Sequence, residues 1–221
     1  MRLQEILKYV DYTKLSPTAV WEDIRELCDD AIKYATASVC IPPVFVRQAK
    51  DYVGIRMKVC TVIGFPNGYN TTSVKVLEAH EALEDGADEL DMVININNVK
   101  AQRLNLVERE IALIKKACGN RILKVIVETC LLNEKEKIEL CKVVTRAGAD
   151  YIKTSTGFSS GGATHEDIAL FAKHIGPNVK MKASGGIKTA EDAEAYLKLG
   201  CSRLGSSALV KFAKNDANKI I

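Results

Sequence analysis

Eight short apolar runs, most of them followed by a longer segment of helical period, constrain the fold of this 221-residue chain more than any other feature. Most runs are almost continuously apolar, which is typical of strands covered on both faces of a parallel sheet. The first and last runs are weaker. The predicted strands are VDYTKL (10–15), SVCI (38–41), KVCTVIGF (58–65), ELDMVINI (89–96), LKVIVET (123–129), YIKTST (151–156), VKMKAS (179–184) and SRLGSS (202–207).

The segments between these runs carry the start signals of helices. Ser16 and Pro17 are predicted to begin the first long helix, as an N-cap and a proline at the first helical position. Thr164 and Thr189 each precede an acidic residue by two to three positions, much like a capping box, and Asn133 is predicted to cap the helix EKEKIELCKVV. We therefore expect each of these helices to begin at its capping residue.

The apolar faces and the ends of the predicted helices also fit an alternation of strands and helices. Apolar residues recur at three- and four-residue spacing, as in the predicted buried sets Ile138, Cys141, Val144 and Val74, Leu77, Ala82. A weak internal repeat, LEDGADELDMV, TRAGADYIKTS and LKLGCSRLGSS, places a glycine where a helix ends and a strand follows. These helix-terminating glycines are Gly86, Gly148 and Gly200.

Eight strand–helix units without a Pro/Gly/Ser-rich linker favour an α/β fold, a closed (β/α)8 barrel of the TIM type. The prediction is a single domain over residues 1–221, with a short N-terminal helix in the amphipathic, charged segment MRLQEILKYV. A doubly wound open sheet is the alternative, although neither a Rossmann GxGxxG nor a Walker A motif supports it.

Charge and cysteine content narrow the class of protein. The formal net charge of +3, without a run of basic residues, argues against nucleic-acid or membrane-surface partners. Seven scattered cysteines without a CxxC pair predict reduced, mostly buried thiols rather than disulfides or a zinc site. The N-terminal segment resembles neither a signal peptide nor a membrane span. We therefore expect a cytoplasmic protein.

Charged residues interrupt four of the predicted central strands: Asp91, Lys124, Lys153 and Lys182. A charged side chain there must point to the barrel axis or mouth, because unpaired burial among apolar side chains costs several kcal/mol. Active sites of such barrels lie at the carboxyl ends of the strands. We therefore expect these residues to converge in one polar pocket, with a purely structural Asp–Lys ion pair as the alternative.

A pair of convergent lysines indicates covalent chemistry. Lowering the pKa of a lysine from about 10.4 toward 7, by a neighbouring ammonium and partial desolvation, requires roughly 4–5 kcal/mol. The resulting free amine attacks a carbonyl to form a Schiff base. Lys153 and Lys182 are thus predicted to be a nucleophile and its electrostatic activator, with Asp91 organising proton transfer.

Glycine-rich stretches after the last strands predict a phosphate site. Gly185-Gly186 follows the seventh run and Gly205-Ser206-Ser207 the eighth, where barrels commonly bind phosphate through backbone amides. Residues 157–162 could supply further amides, and Lys188 either adds charge or is solvated. Each stretch alone is also compatible with an ordinary turn.

Together these motifs resemble the deoxyribose-phosphate aldolases, a family of class I, Schiff-base-forming enzymes. The matching motifs run in order from about Val10 to Ser207: VDYTKLSP, SVCIPP, TVIGFPNG, GADELDMVIN, LKVIVET, GADYIKTSTGFSSGGAT, MKASGGIKTAEDA and RLGSS. The resemblance implies reversible cleavage of 2-deoxy-D-ribose 5-phosphate to D-glyceraldehyde 3-phosphate and acetaldehyde. It implies phosphosugar and aldehyde substrates, neither cofactor nor metal, and a homo-oligomer, a dimer or tetramer.

The resemblance also assigns roles to individual residues. Lys153 matches the Schiff-base lysine, Lys182 the lysine that lowers its pKa and takes part in proton transfer, and Asp91 the proton donor and acceptor acting through a water. The residues that match the substrate pocket are Asp11, Thr13, Cys40, Lys124 and Thr156. Those that match the phosphate cradle are Gly157, Gly185, Gly186, Gly205, Ser206 and Ser207. The absence of a His/Cys/Glu ligand cluster in the sequence agrees with the expected lack of a metal.

Some positions depart from the family pattern. Tyr12 replaces a histidine, Ser16 a common lysine, and Ala208 a serine of some members, which predicts slightly weaker phosphate binding. Some members end in a tyrosine that assists proton transfer, whereas this chain ends NDANKII, so no residue is assigned that role.

Several functional and structural alternatives stay open at this point. They are another Schiff-base aldolase such as a transaldolase-like enzyme, a non-covalent phosphosugar isomerase on the same barrel, and a non-enzymatic binding module. Trp21 and Phe171, apolar residues on predicted helices, are expected either to mark an oligomer interface or to pack internally.

Overall fold

Eight parallel strands close into a barrel in which each strand pairs with its neighbours in chain order and the last pairs with the first. The structure is a computed structural model that describes the backbone of residues 1–217 and the side chains as far as Lys214. The end of the tail NDANKII, residues 218–221, lies outside the described residues. The closed barrel confirms the predicted (β/α)8 fold, so the alternative prediction of an open doubly wound sheet is wrong.

All eight predicted strands are present, although most end earlier than their apolar runs. In chain order they are β1 (Val10–Thr13), β2 (Ser38–Ile41), β3 (Val59–Ile63), β4 (Glu89–Val93), β5 (Ile122–Ile126), β6 (Tyr151–Lys153), β7 (Lys180–Ser184) and β8 (Cys201–Ser206). β4, β5 and β6 each end three residues before their predicted runs do, and at β6 the residues that follow the strand are Thr154, Ser155 and Thr156. The polar residues at the ends of the runs therefore form loops at the barrel mouth.

Ten helices surround the strands in the described part of the chain. They are α1 (Leu3–Leu7), α2 (Trp21–Tyr34), α3 (Val46–Val53), α4 (Thr72–Glu84), α5 (Ile96–Lys100), α6 (Leu104–Cys118), α7 (Glu134–Arg146), α8 (His165–His174), α9 (Ala190–Lys198) and α10 (Leu209–Ala217). Two short 3-10 helices occupy Pro43–Phe45 and Thr129–Leu131. No described helix is long and apolar enough to cross a membrane.

Three of the predicted helix starts are confirmed and one is wrong. The side chains of Asn133, Thr164 and Thr189 accept backbone N–H groups at the starts of α7, α8 and α9. The helix predicted to begin at Ser16 begins instead at Trp21, because the Ser16 hydroxyl bonds Thr18 within a turn. The glycines predicted to end helices, Gly86, Gly148 and Gly200, all adopt positive φ.

The buried face of α4 differs from the predicted one. Val74 and Leu77 are 43% and 58% exposed, and the buried residues are Lys75, Ala79 and Ala82. Lys75 is buried because its ammonium donates to Val93 O at 2.8 Å and to the Glu110 carboxylate of α6 at 2.9 Å. An ion pair thus takes the place of an apolar contact, which spacing alone did not indicate.

The two helical aromatics left open between interface and packing both contact the barrel core. Phe171 is fully buried in the main core cluster, and Trp21 packs against its edge, with its ring 5.9 Å from Tyr52. Six of the seven cysteines are buried and Cys130 is exposed, and all seven are free thiols. The expectation that most cysteines are buried is therefore confirmed.

We expect Phe171→Ala to lower the free energy of unfolding by about 3–5 kcal/mol, because the truncation leaves a cavity between α8 and the sheet. Urea denaturation at pH 7 measures this change. The matched control is Phe212→Ala on α10, where the ring is 47% exposed and we expect a loss below about 1 kcal/mol. Equal losses for the two variants would contradict the assignment of Phe171 to the core.

Candidate active site

An open pocket of about 580 Å³ lies at the carboxyl ends of the strands, at the mouth of the barrel. Its wall combines Lys153 of β6 with Thr13 and with the loops that follow β6, β7 and β8. Lys153 is 4% exposed. Of the four charged strand residues predicted to converge, it is the one that lines the pocket. The pocket therefore presents one lysine amine at its base.

The carboxylate of Asp91 gathers the three predicted lysines below this pocket. Lys153 and Lys182 each donate to Asp91 Oδ2 at 2.8 Å, and Lys124 donates to Asp91 Oδ1 at 2.8 Å. These residues come from β4, β5, β6 and β7, and neighbouring strands hold them in register, with Lys124 beside Asp91 and Lys182 beside Lys153. The predicted convergence is thus present as direct contacts.

Acidic and basic side chains continue the network down the barrel axis. Asp11 of β1 accepts from Lys182 and from Arg203, and Ser38 Oγ donates to Asp11 Oδ1 at 2.8 Å. Glu89 accepts two bonds from the Arg203 guanidinium, at 2.7 and 2.8 Å, and lies 2.7 Å from Lys124 Nζ. Asp11 and Lys124, predicted to line the substrate pocket, are instead fully buried beneath it.

The charged groups of this network shift one another's pKa values. Burial by itself would raise the pKa of Asp91, but the ammonium groups of Lys124, Lys153 and Lys182 outweigh it and hold that pKa well below its usual value. Burial would likewise lower the pKa of Lys182, yet Asp11 and Asp91 outweigh it and raise the pKa. Lys182 is therefore held as a cation beside Lys153, as an electrostatic activator must be.

The structure also brings together three residues that are far apart in the sequence. Ligand atoms of Cys40, Cys60 and Asp91 lie within 4.8 Å of one another, a grouping that the sequence did not indicate. Adjacent strands β2, β3 and β4 bring these residues together across long stretches of sequence. We assign no metal here, because Asp91 is already bonded to three ammonium groups that repel a cation.

The residues predicted to bind phosphate all line the same pocket. They are Gly157, Gly185, Gly186, Gly205, Ser206 and Ser207. Gly185 and Gly186 both have φ of 82°, a backbone conformation that side chains with a Cβ strain to adopt, so the loop after β7 requires glycine there. Ser206 Oγ accepts from the amides of Ala208 and Leu209, so this hydroxyl caps the start of α10.

Sequence reasoning missed several residues of the site. Lys14 and Lys211 line the pocket together with Lys188. Lys14 lies inside the predicted strand VDYTKL but was given no role, and none of the quoted motifs contains Lys211. Glu128 is 2% exposed, has a left-handed backbone with φ of 57°, and accepts the hydroxyl and amide of Thr156. The run LKVIVET contains Glu128, and a carboxylate directly after a buried strand was a usable signal.

Comparison with known proteins places this site in a family. Residues 6–206 match the model of the DeoC/LacD family aldolases. The chain is 56% identical to a deoxyribose-phosphate aldolase of Streptococcus pyogenes serotype M4 over 219 residues, 99% of this chain and 98% of that protein.

Solved structures agree with this placement. The structure of QR15, an aldolase, superposes with a TM-score of 0.92 at 38% identity, covering 98% of this chain and 97% of that one. A tetrameric deoxyribose phosphate aldolase of Aeropyrum pernix superposes with a TM-score of 0.87 at 34% identity, covering 95% and 89%.

We expect Asp91→Asn to lower the free energy of unfolding by about 3–5 kcal/mol at pH 7, because three buried ammonium groups lose their shared anion. The pKa of Asp91 is lowered in the folded state, so its contribution is complete above the unfolded value of about 3.9 and is lost as the pH falls further. The difference between the variant and the wild type should therefore shrink below about pH 4.

Urea denaturation at several pH values measures this difference. The control is Glu108→Gln, which removes the anion of the exposed Arg146–Glu108 pair and is expected to cost less than about 1 kcal/mol. A loss for Asp91→Asn no larger than that of the control would show that the axis carboxylate does not hold the lysines together.

Proposed function

This chain belongs to the DeoC/LacD family of aldolases, and we propose that it is a deoxyribose-phosphate aldolase, a lyase acting on 2-deoxy-D-ribose 5-phosphate. The observation that carries the proposal is a lysine, Lys153, in a pocket that is also lined by the glycine-rich loops after β6, β7 and β8. Such a pocket suits a substrate with a carbonyl at one end and a phosphate at the other.

The reaction begins with attack on the substrate aldehyde. Lys153 Nζ adds to carbon C1 of open-chain deoxyribose 5-phosphate, and loss of water gives a protonated imine. Lys182, a cation on the same Asp91 oxygen, favours the uncharged amine of Lys153 by like-charge repulsion. The imine then draws electrons from the bond between C2 and C3.

Cleavage requires that the C3 hydroxyl lose its proton. The Asp91 carboxylate, 2.8 Å from Lys153 Nζ, is the acceptor we assign, directly or through one water. As the C2–C3 bond breaks, glyceraldehyde 3-phosphate leaves and the imine becomes an enamine. The same group returns the proton to C2, with Lys182 beside it, and hydrolysis then releases acetaldehyde and the free amine.

The phosphate end of the substrate fits the amide-rich wall. The loops after β6, β7 and β8 supply backbone amides, and Lys14, Lys188 and Lys211 add positive charge around the same pocket. Thr13 and Thr156 offer hydroxyl groups to the sugar between the two ends. Cys40, predicted to contact substrate, is buried beside Cys60 and is not among the residues that line this pocket, so we assign it no direct contact.

The remaining assignments rest on the family and on the relatives named above. We assign residues 1–221 to one aldolase domain that needs neither cofactor nor metal and that works in the cytoplasm on phosphosugars and aldehydes. A homo-oligomer is proposed because a related aldolase is tetrameric. Another phosphosugar Schiff-base aldolase, or a non-covalent isomerase on the same barrel, is the competing function.

We expect borohydride to trap a reduced adduct on Lys153 when the protein is incubated with deoxyribose 5-phosphate, because the amine forms an imine there. Mass spectrometry of the intact and digested protein locates the adduct. Lys153→Met should give none, and Lys173→Met, at an exposed lysine of α8, should react like the wild type. An adduct on Lys182 would exchange the two lysine roles, and no adduct would favour the isomerase.

We expect Lys211→Met to lower kcat/KM for deoxyribose 5-phosphate about fivefold, because the pocket loses a cation near the phosphate. Steady-state kinetics with unphosphorylated 2-deoxyribose should be unchanged. The control Lys135→Met removes an exposed lysine of α7 and should alter neither substrate. Equal losses for both substrates would contradict a role of Lys211 at the phosphate.

A further inference from the structure

The charged residues inside the barrel form one connected group that does not balance to zero. We call this group the axis cluster. It contains four basic side chains and three carboxylates, which come from six strands (β1 and β4 to β8) and are joined by salt bridges. Its members are Asp11, Glu89, Asp91, Lys124, Lys153, Lys182 and Arg203.

The three carboxylates are largely committed to three of the four cations. Arg203 is held by both oxygens of Glu89 and by Asp11, and Lys182 by Asp11 and Asp91. Lys124 lies against Glu89 and Asp91 at 2.7 and 2.8 Å. Within the described residues, Lys153 is the cluster cation with a single carboxylate contact, to Asp91.

This count distinguishes the chemical states of Lys153. As a free amine or as the enamine, Lys153 is uncharged, and three cations face three carboxylates. As an ammonium or as the protonated imine, it leaves one positive charge uncompensated in a buried site. The cluster therefore favours the amine that attacks and the enamine that forms on cleavage, since uncompensated buried charge is costly.

Glu89 and Arg203 contribute to the net charge of the axis cluster although they do not line the pocket. Glu89 is fully buried and precedes Asp91 by two residues on β4, so both face the axis with Glu89 further from the mouth. Arg203 is 8% exposed and its guanidinium stacks over the Tyr151 ring at 6.0 Å. Neither lines the pocket that holds Lys153.

We propose that the Glu89–Arg203 pair sets the charge balance of the axis cluster and thereby the pH at which Lys153 is available as an amine. Both are positioning residues that act through Lys124, Asp11 and Asp91, and neither touches substrate. The inference rests on the proposed function, since it concerns the same nucleophile.

Other titratable groups lie near Lys153 but are not members of the axis cluster. Glu128, on the loop after β5, bonds Thr156, and within the described residues it makes no salt bridge to the cluster. Burial raises the pKa of Glu128. The charged and titratable groups around Lys153 are Asp91, Glu89, Lys124, Lys182, Asp11, Arg203, Cys40, Cys60, Tyr151 and Glu128.

The test is the acid limb of the pH profile of kcat/KM in three variants. Glu89→Gln removes a negative charge and should move the limb to lower pH, by about one unit. Arg203→Gln removes a positive charge and should move it to higher pH by a similar amount. The double variant Glu89→Gln/Arg203→Gln keeps the net charge and should return the limb to the wild-type position.

Opposite shifts that cancel in the double variant cannot come from a loosened fold, which would lower kcat without moving the limb in opposite directions. Glu108→Gln, at the exposed pair with Arg146, is the control and should leave the profile unchanged. Limbs that stay in place, or that move the same way in both single variants, would overturn the inference.

A measurement on the wild type keeps the inference testable if a single variant does not fold. With unphosphorylated 2-deoxyribose as substrate, the acid limb should be the same at low and at 1 M NaCl, because a buried cluster is screened little. A limb that moves with salt would assign control to surface charges instead. Failure of borohydride to trap Lys153 in the wild type would overturn the proposed function, which these profiles do not test.

Discussion

The buried carboxylate of Asp91 is the interaction on which the rest of the site depends. Three ammonium groups from three different strands bond its two oxygens, and none of the four side chains is more than 5% exposed. Charges so deeply buried are tolerated only when they are paired and hydrogen-bonded. A parallel barrel meets this requirement because the register of its strands fixes the backbone positions of these four residues relative to one another.

The barrel separates two zones along its axis, a charged interior and a pocket at the mouth. The interior holds buried ion pairs, and the glycine-rich loops after β6, β7 and β8 line the pocket at the mouth. Lys153 lies where the two zones meet, bonded to Asp91 below and open to the pocket above. Under the proposed function, a substrate with a reactive carbonyl at one end and a phosphate at the other would span both zones, so that remote binding energy would orient the reacting atoms.

Local signals in the sequence predicted many elements correctly and failed where distant contacts decide. Hydroxyl caps and helix-ending glycines were reliable because their hydrogen bonds lie within a few residues. Ser16 failed as a cap because its hydroxyl is used inside a turn. The face of α4 was misread because Lys75 is buried against Glu110 of another helix, 35 residues away in the chain. Periodicity carries no information about such a partner.

The sequence by itself determined the order of strands and helices, the barrel they form and the strand residues that carry charge, because apolar period and capping are local properties. Only the tertiary structure decided which charges meet. It placed Glu89 and Arg203 beneath the predicted lysines and moved Asp11 and Lys124 from the pocket wall into the axis. Closure of the sheet, which pairs β8 with β1, is the physical reason, since it brings residues 192 positions apart into contact.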